Sequence, residues 1–163
     1  MSLSTLLQNI ADAEPGPKTC AVFDFDGTII SGYSATAFLK DQIARGEISP
    51  ADLVQLTQAA TRFGIGSLGF SALMAVHAQY LAGRSEADYV ANSERLFRRA
   101  IAKLIYPEAR QLIEAHRAAG HSIAIISSAT PYQVLPAARD LGIEHVYATD
   151  LQVEDGQFTG GVV

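Results

Sequence analysis

The sequence predicts an α/β domain: a doubly wound parallel sheet interrupted by a helical insertion. Three observations carry this. Two solid apolar runs, Ala21-Val22-Phe23 and Ile123-Ala124-Ile125-Ile126, have the character of buried parallel strands rather than of half-wet alternating ones. Between them, residues 33–105 hold helical patterns and no convincing strand. After the second run, a helix and a third short extended run complete a strand–helix–strand–helix–strand order. The expected division is a core of residues 1–32 and 106–163, with residues 33–105 as a helical cap.

Taken in order, residues 2–13 place Leu3, Leu6, Leu7 and Ile10 at i, i+3, i+4 and i+7, one face of a helix. Pro15-Gly16-Pro17 stops it and links it to the first strand. In the insertion, a helix over 34–45 ends at Gly46. Ser49-Pro50 opens the next, with Ser as cap and Pro in the first turn, and its stripe is Leu53, Leu56, Ala60 and Phe63. Phe70, Leu73, Met74, His77 and Leu81 form another stripe, closed by Gly83. Ser85 with Asp88 starts a last helix that continues towards Ile105. Phe38, Phe63 and Phe70 fit core stripes better than a cofactor box. In the second half, Pro107 opens a helix that Gly120 ends, and Pro131 opens one through Leu141 that Gly142 ends. Val146-Tyr147-Ala148 is the third strand. Glu154-Asp155-Gly156 has turn chemistry between extended runs at 151–153 and 157–163, which predicts a β-hairpin.

Composition excludes several classes. The chain has 163 residues, 48% of them apolar, which suits one globular domain with an insertion. A net charge of −5 discourages nucleic-acid binding and attraction to anionic lipid. One cysteine, Cys20, excludes an internal disulfide and an all-cysteine zinc site, and beside the first strand it is expected to be a buried, inert thiol. No 18-residue apolar span and no basic-then-apolar leader are present, which points to the cytoplasm. The four histidines have no ligand spacing and are read as core or surface residues. Arg95, Arg98 and Arg99 form either a solvated helix face or a surface towards an anionic substrate, the former being the simpler reading.

Chemistry concentrates after the first strand. In extended backbone, residues i and i+2 point to one side, so Asp24 and Asp26 are expected to emerge together at the strand's C-terminal end, with Phe25 turned into packing. Gly27 follows where the chain must leave the sheet. In open α/β sheets, ligands bind at the carboxyl ends of strands. Two such carboxylates favour a shared proton or a hard cation such as Mg²⁺, and a division of labour between nucleophile and acid/base. The simpler alternative is an Asp-Gly hairpin turn with Asp24 solvated, but the solid apolar entry argues against it.

Asp24-Phe25-Asp26-Gly27-Thr28 resembles the first signature motif, DxDGT, of the haloacid-dehalogenase superfamily of phosphohydrolases, and the insertion resembles the small helical cap of its phosphoserine-phosphatase-like branch. The resemblance implies that Asp24 attacks phosphorus to become an aspartyl-phosphate. Asp26 would protonate the leaving oxygen and then activate water. Mg²⁺ would be held by the Asp24 carboxylate and the Asp26 carbonyl. Ser127, after the second apolar run, resembles the second motif, whose hydroxyl binds a phosphoryl oxygen. Ser128 takes that role if the strand ends one residue later, and Gly27 and Thr28 are further candidate phosphate contacts. The alternative is that both serines cap the following helix. The stretch from Ser127 to Ile143 also resembles a bacterial subgroup in which such domains can be joined to a phospholipid acyltransferase, which leaves a non-catalytic regulatory module as the rival reading.

Two further family motifs, a lysine and a second acidic pair, do not occur. Lys18, Lys40, Lys103, Asp150 and Asp155 are not in matching contexts. The expectation is therefore a truncated domain, proteolysed or split, with weak metal binding and a sheet incomplete at the C-terminus. Its open apolar edge beside residues 21–26 would be covered by a missing C-terminal segment or by a second copy. The expected partner is a small phosphorylated substrate.

Overall fold

The computed structural model describes residues 2–64, 66 and 69–163; the side chains of Ala60, Phe63, Phe70, Ser71 and Leu73 lie outside that description. The stripe positions assigned to Ala60, Phe63, Phe70 and Leu73 therefore lie outside the described residues. The chain opens with α1 (Leu3–Ala11), capped by the Ser2 hydroxyl, and β1 (Cys20–Phe23). Then come α2 (Ser34–Ala44), α3 (Pro50–Gly64), α4 (Phe70–Leu81) and α5 (Glu86–Leu96). After these lie α6 (Pro107–Ala118), β2 (Ser122–Ile126), α7 (Pro131–Leu141) and β3 (His145–Tyr147). A hairpin of β4 (Leu151–Glu154) and β5 (Gln157–Val162) closes the described chain.

β1, β2 and β3 form a parallel sheet in that order, with Val22 opposite Ala124 and Ile125 opposite Val146. The antiparallel hairpin is a separate sheet. The α/β class, the parallel order and the helical insertion all agree with the sequence. Residues 97–104, expected to continue α5 as one helix, instead form a π turn (Phe97–Ile101) and a short 3₁₀ turn (Ala102–Leu104). Phe97 and Ile101 are both buried within this wider turn.

The core joins the two halves. Phe25, Ile29 and Ile30 from the loop after β1, Ile125 from β2 and Val134 and Ala137 from α7 are fully buried. They share one cluster with Phe38, Leu81, Tyr89, Leu96 and Ile101 from the insertion. Tyr89, Tyr132 and Phe158 meet edge-to-face, with centroids 5.3–5.4 Å apart, tying α5, α7 and β5 at one point. At the opposite end of the sheet, His116 and His121 face each other Nδ1 to Nδ1 at 2.9 Å, and His121 Nε2 lies 3.2 Å from the Glu14 carbonyl. This pair links α6 to the arm that follows α1.

Three expectations are corrected. Neither β1 nor β2 is buried on both faces: Val22 is 55% exposed, Ile126 54% and Tyr147 62%, all on one side by strand alternation, whereas Ile125 on the other side is fully buried. Cys20 is exposed, not buried, because it lies on the Val22 face of an edge strand. β1 also ends at Phe23, one residue short of Asp24. No helix among the described residues is long and apolar enough to cross a membrane.

Equilibrium urea unfolding checks this division of the faces. Phe25→Ala should cost about 3–5 kcal/mol, because it empties a fully enclosed site. Val22→Thr, three residues earlier on the exposed face, should change stability by less than about 0.5 kcal/mol.

Candidate active site

The loop after β1 is built around one carbonyl. The Phe25 oxygen accepts from Thr28 N at 3.3 Å, Ile29 N at 2.9 Å and Ile30 N at 3.1 Å. This winds residues 25–30 into a tight turn. Gly27 stands at φ +76°, and its N–H donates both to the Ile30 carbonyl and to the Gly32 carbonyl, each at 2.9 Å. A side chain there would be strained by the backbone angle. Asp24 and Asp26 thus flank the start of a turn, not an extended i, i+2 pair. They remain neighbours electrostatically, since the Asp24 charge helps to raise the Asp26 pKa.

The two carboxyl groups have unlike surroundings. Asp24 is exposed, with the Thr28 hydroxyl 3.5 Å from its Oδ2. Asp26 is half-buried. The Ser34 amide donates to its Oδ1 at 2.7 Å, and the Ser34 hydroxyl donates to its Oδ2 at 3.1 Å. Desolvation is the largest influence on Asp26 and raises its pKa; the Ser34 bonds oppose it, and the neighbouring Asp24 adds to it. One carboxylate is free to approach a ligand, and its neighbour is biased towards holding a proton.

Ser34 opens α2 and is completely buried. Its hydroxyl accepts from Gln133 Nε2 at 3.1 Å. Gln133 in turn accepts at Oε1 from the Thr130 amide at 2.8 Å and the Thr130 hydroxyl at 2.9 Å, which makes a capping box at the start of α7. A buried polar thread therefore runs Thr130–Gln133–Ser34–Asp26. The Thr-x-x-Gln spacing was visible in the sequence as a helix-start signature, but the sequence reading did not include Ser34 or Gln133 among the site residues. Nothing local links residue 34 to residue 133.

Ser127 follows the end of β2, and its amide donates to the Tyr147 carbonyl at 2.9 Å. With Phe23 opposite Ile125, Asp24 and Ser127 leave the same end of adjacent strands. The Ser127 hydroxyl accepts from the Ala129 amide at 3.1 Å, so its own proton remains to be given to a ligand oxygen. Ser128 is exposed, and its carbonyl accepts from the Thr149 hydroxyl at 3.0 Å. Neither serine caps α7: Thr130 is its N-cap. The carboxylates, Gly27, Thr28 and the two serines thus share one end of the sheet. Among the described residues, no group of three or more His, Cys, Asp or Glu side chains converges as a metal cluster. The oxygen donors at Asp24 and Asp26 suit a hard cation that takes its remaining ligands from water and a phosphate group.

A family model described as haloacid dehalogenase-like hydrolase matches residues 21–163. A probable phosphatase of Mycobacterium tuberculosis is 31% identical over 151 residues, covering 91% of this chain and 53% of the relative. A phosphoserine phosphatase of the same organism is 33% identical over 148 residues, covering 88% and 48%. A histidinol-phosphatase of Neisseria meningitidis is 27% identical over 148 residues, covering 90% and 67%. The chain thus spans about half the length of the first two relatives. Among solved structures, a Bordetella pertussis protein of unknown function superposes with a TM-score of 0.80 at 24% identity, covering 89% of this chain and 66% of that one. A substrate-bound phosphoserine phosphatase superposes at 0.61 and 20% identity, covering 88% and 61%.

Ser34→Ala tests the thread. It removes one bond to Asp26 and strands Gln133 Nε2 in a buried place, so it should cost about 1–3 kcal/mol in thermal or urea unfolding. It should also move the Asp26 pKa, followed by carboxyl ¹³C NMR, further upward, since the lost bond favoured the charged form. Because folding raises the Asp26 pKa, its share of stability is full below the ordinary value of 3.8 and is lost as pH rises through the raised one. Asp26→Asn should remove that loss from a plot of melting temperature against pH.

Proposed function

The chain belongs to the haloacid dehalogenase-like hydrolase family, and from that premise we propose that it hydrolyses phosphate monoesters through an aspartyl-phosphate. The observation that carries the proposal is the unlike pair at one strand end: an exposed carboxylate at Asp24 beside a half-buried, proton-biased one at Asp26.

In the first step, an Asp24 carboxylate oxygen attacks phosphorus and the bond from phosphorus to the ester oxygen breaks. The departing oxygen takes the proton held on Asp26. In the second step, water attacks the phosphorus of the aspartyl-phosphate while the Asp26 carboxylate takes a proton from that water. The bond to Asp24 breaks, phosphate leaves, and Asp26 is again protonated. The raised pKa supports this double duty, because an acid that must give and regain a proton works best when its pKa lies closer to the working pH. Ser34 positions Asp26 by holding both its oxygens.

Ser127 is the proposed phosphoryl ligand through its hydroxyl proton, with Ser128 and the backbone of Gly27 and Thr28 as further contacts. The Asp24 carboxylate and Asp26 carbonyl would hold Mg²⁺, which when bound supplies positive charge to the phosphoryl oxygens. Residues 33–105 are proposed as a cap over the strand ends, and core residues 1–32 and 106–163 as the platform for the chemistry. The substrate class is a small phosphorylated molecule, in keeping with relatives named for phosphoserine and histidinol phosphate.

The test is steady-state hydrolysis of phosphoserine, histidinol phosphate and p-nitrophenyl phosphate with and without MgCl₂, using the protein produced from its complete gene. Asp24→Asn should abolish turnover and the hydroxylamine-sensitive phosphoprotein together. Ser127→Ala should lower kcat by about 10²–10³, as the loss of one transition-state hydrogen bond does. Unchanged turnover in Asp24→Asn would overturn the mechanism.

A further inference from the structure

A cavity opens between α2 and the turns that follow α5, its wall mixing apolar residues with charged ones. It holds about 470 Å³ and is lined in part by Tyr33, Lys40, Asp41, Arg99 and Lys103. Asp24, Asp26 and Ser127 are not part of its wall, so it is separate from the strand-end site. Three cations and one carboxylate among its lining residues give it a local charge of +2, in a chain whose net charge is −5.

That carboxylate is heavily shared. Asp41 is almost completely buried and accepts from Arg45 Nε at 2.9 Å, Arg95 Nη2 at 3.3 Å and Arg99 Nη2 at 2.5 Å. Arg45 has Glu47 as a second carboxylate partner, whereas among the described residues Arg95 and Arg99 pair with no carboxylate but Asp41, Arg95 also donating to Asn92 Oδ1. Lys40 and Lys103 make no ion pair among the described residues. One negative charge thus serves several positive ones, and the excess faces the cavity. The same seam between α2 and α5 contains two buried amide donors without an acceptor, Gln42 Nε2 and Asn92 Nδ2.

We propose that this cleft binds a small divalent oxyanion, either free phosphate or the acid groups of a dicarboxylate. Such a ligand would place its oxygens between Lys40, Arg99 and Lys103, which present the complementary charge. Its position has a consequence for the strand-end site. Ser31, Gly32 and Tyr33 form one wall, and the next residue is Ser34, which holds both oxygens of Asp26. An occupant of the cleft lies one residue from the group that sets the environment of Asp26. The cleft does not depend on the phosphatase reading: it is defined by its own charges.

Amide ¹H–¹⁵N NMR titration of the chain with sodium phosphate, and separately with sodium succinate, tests this at constant ionic strength, so that general screening is held fixed. At least one of the two should produce saturable shifts at Gly32, Tyr33, Lys40, Arg99 and Lys103. In the double variant K40Q/K103Q, whose replaced side chains are exposed, the dissociation constant read from those amides should rise about tenfold. Phosphate shifts at Ser127 and Ser128 should be the same in both proteins. The proposal fails if neither anion shifts the cleft amides, or if K40Q/K103Q leaves their dissociation constant unchanged.

Discussion

The Asp26 carboxylate, gripped by Ser34 at both oxygens, is the interaction on which the molecule depends. Asp26 belongs to the loop after β1, Ser34 opens the inserted helices, and Gln133 reaches Ser34 from the helix after β2. Three segments far apart in sequence are thereby held in one register by a buried polar thread. Buried polar groups are costly unless satisfied, so each member of the thread enforces the position of the next. Burial also gives Asp26 its proton bias, and the Ser34 bonds limit how far that bias goes.

Much of the fold was legible because the relevant signals are local. Pro107 and Pro131 start their helices at the first position, and the left-handed Gly142 ends α7. Apolar runs gave β1 and β2, and Glu154-Asp155-Gly156 gave the hairpin turn, with Asp155 itself at a positive φ. Asp24, Asp26 and Ser127 stood out for the same reason: polar residues abruptly ending apolar runs. Burial was read less well. Val22 and Ile126 have the composition of fully covered strand residues, yet half of each surface is open, since composition records what a strand can pack against and not what is present to cover it. Ser34, Gln133 and Asp41 were missed because their importance lies in partners at distant positions, and one sequence carries no trace of such pairings.

The arginine cluster for which pattern alone left two readings is resolved by geometry. Arg95 and Arg99 do not simply face water but converge on Asp41, while Arg98 pairs with Glu94 in the last turn of α5. Lys40 and Lys103, which match no family motif by position, line a cleft away from the strand ends. His116 and His121 face one another at the foot of the sheet, where His121 also reaches the Glu14 carbonyl.

The turn that follows β1 is a peg as much as a loop. Its Asp24 carboxylate faces outward and its Asp26 carboxylate is half-buried, while Phe25, Ile29 and Ile30 beside them are sunk completely into the interior. Any change in the shape of that turn must first dislodge hydrophobic groups shared by both halves of the protein. Substitution within that turn is therefore felt by the whole interior, whereas exposed positions on the surrounding helices can vary without unseating the centre.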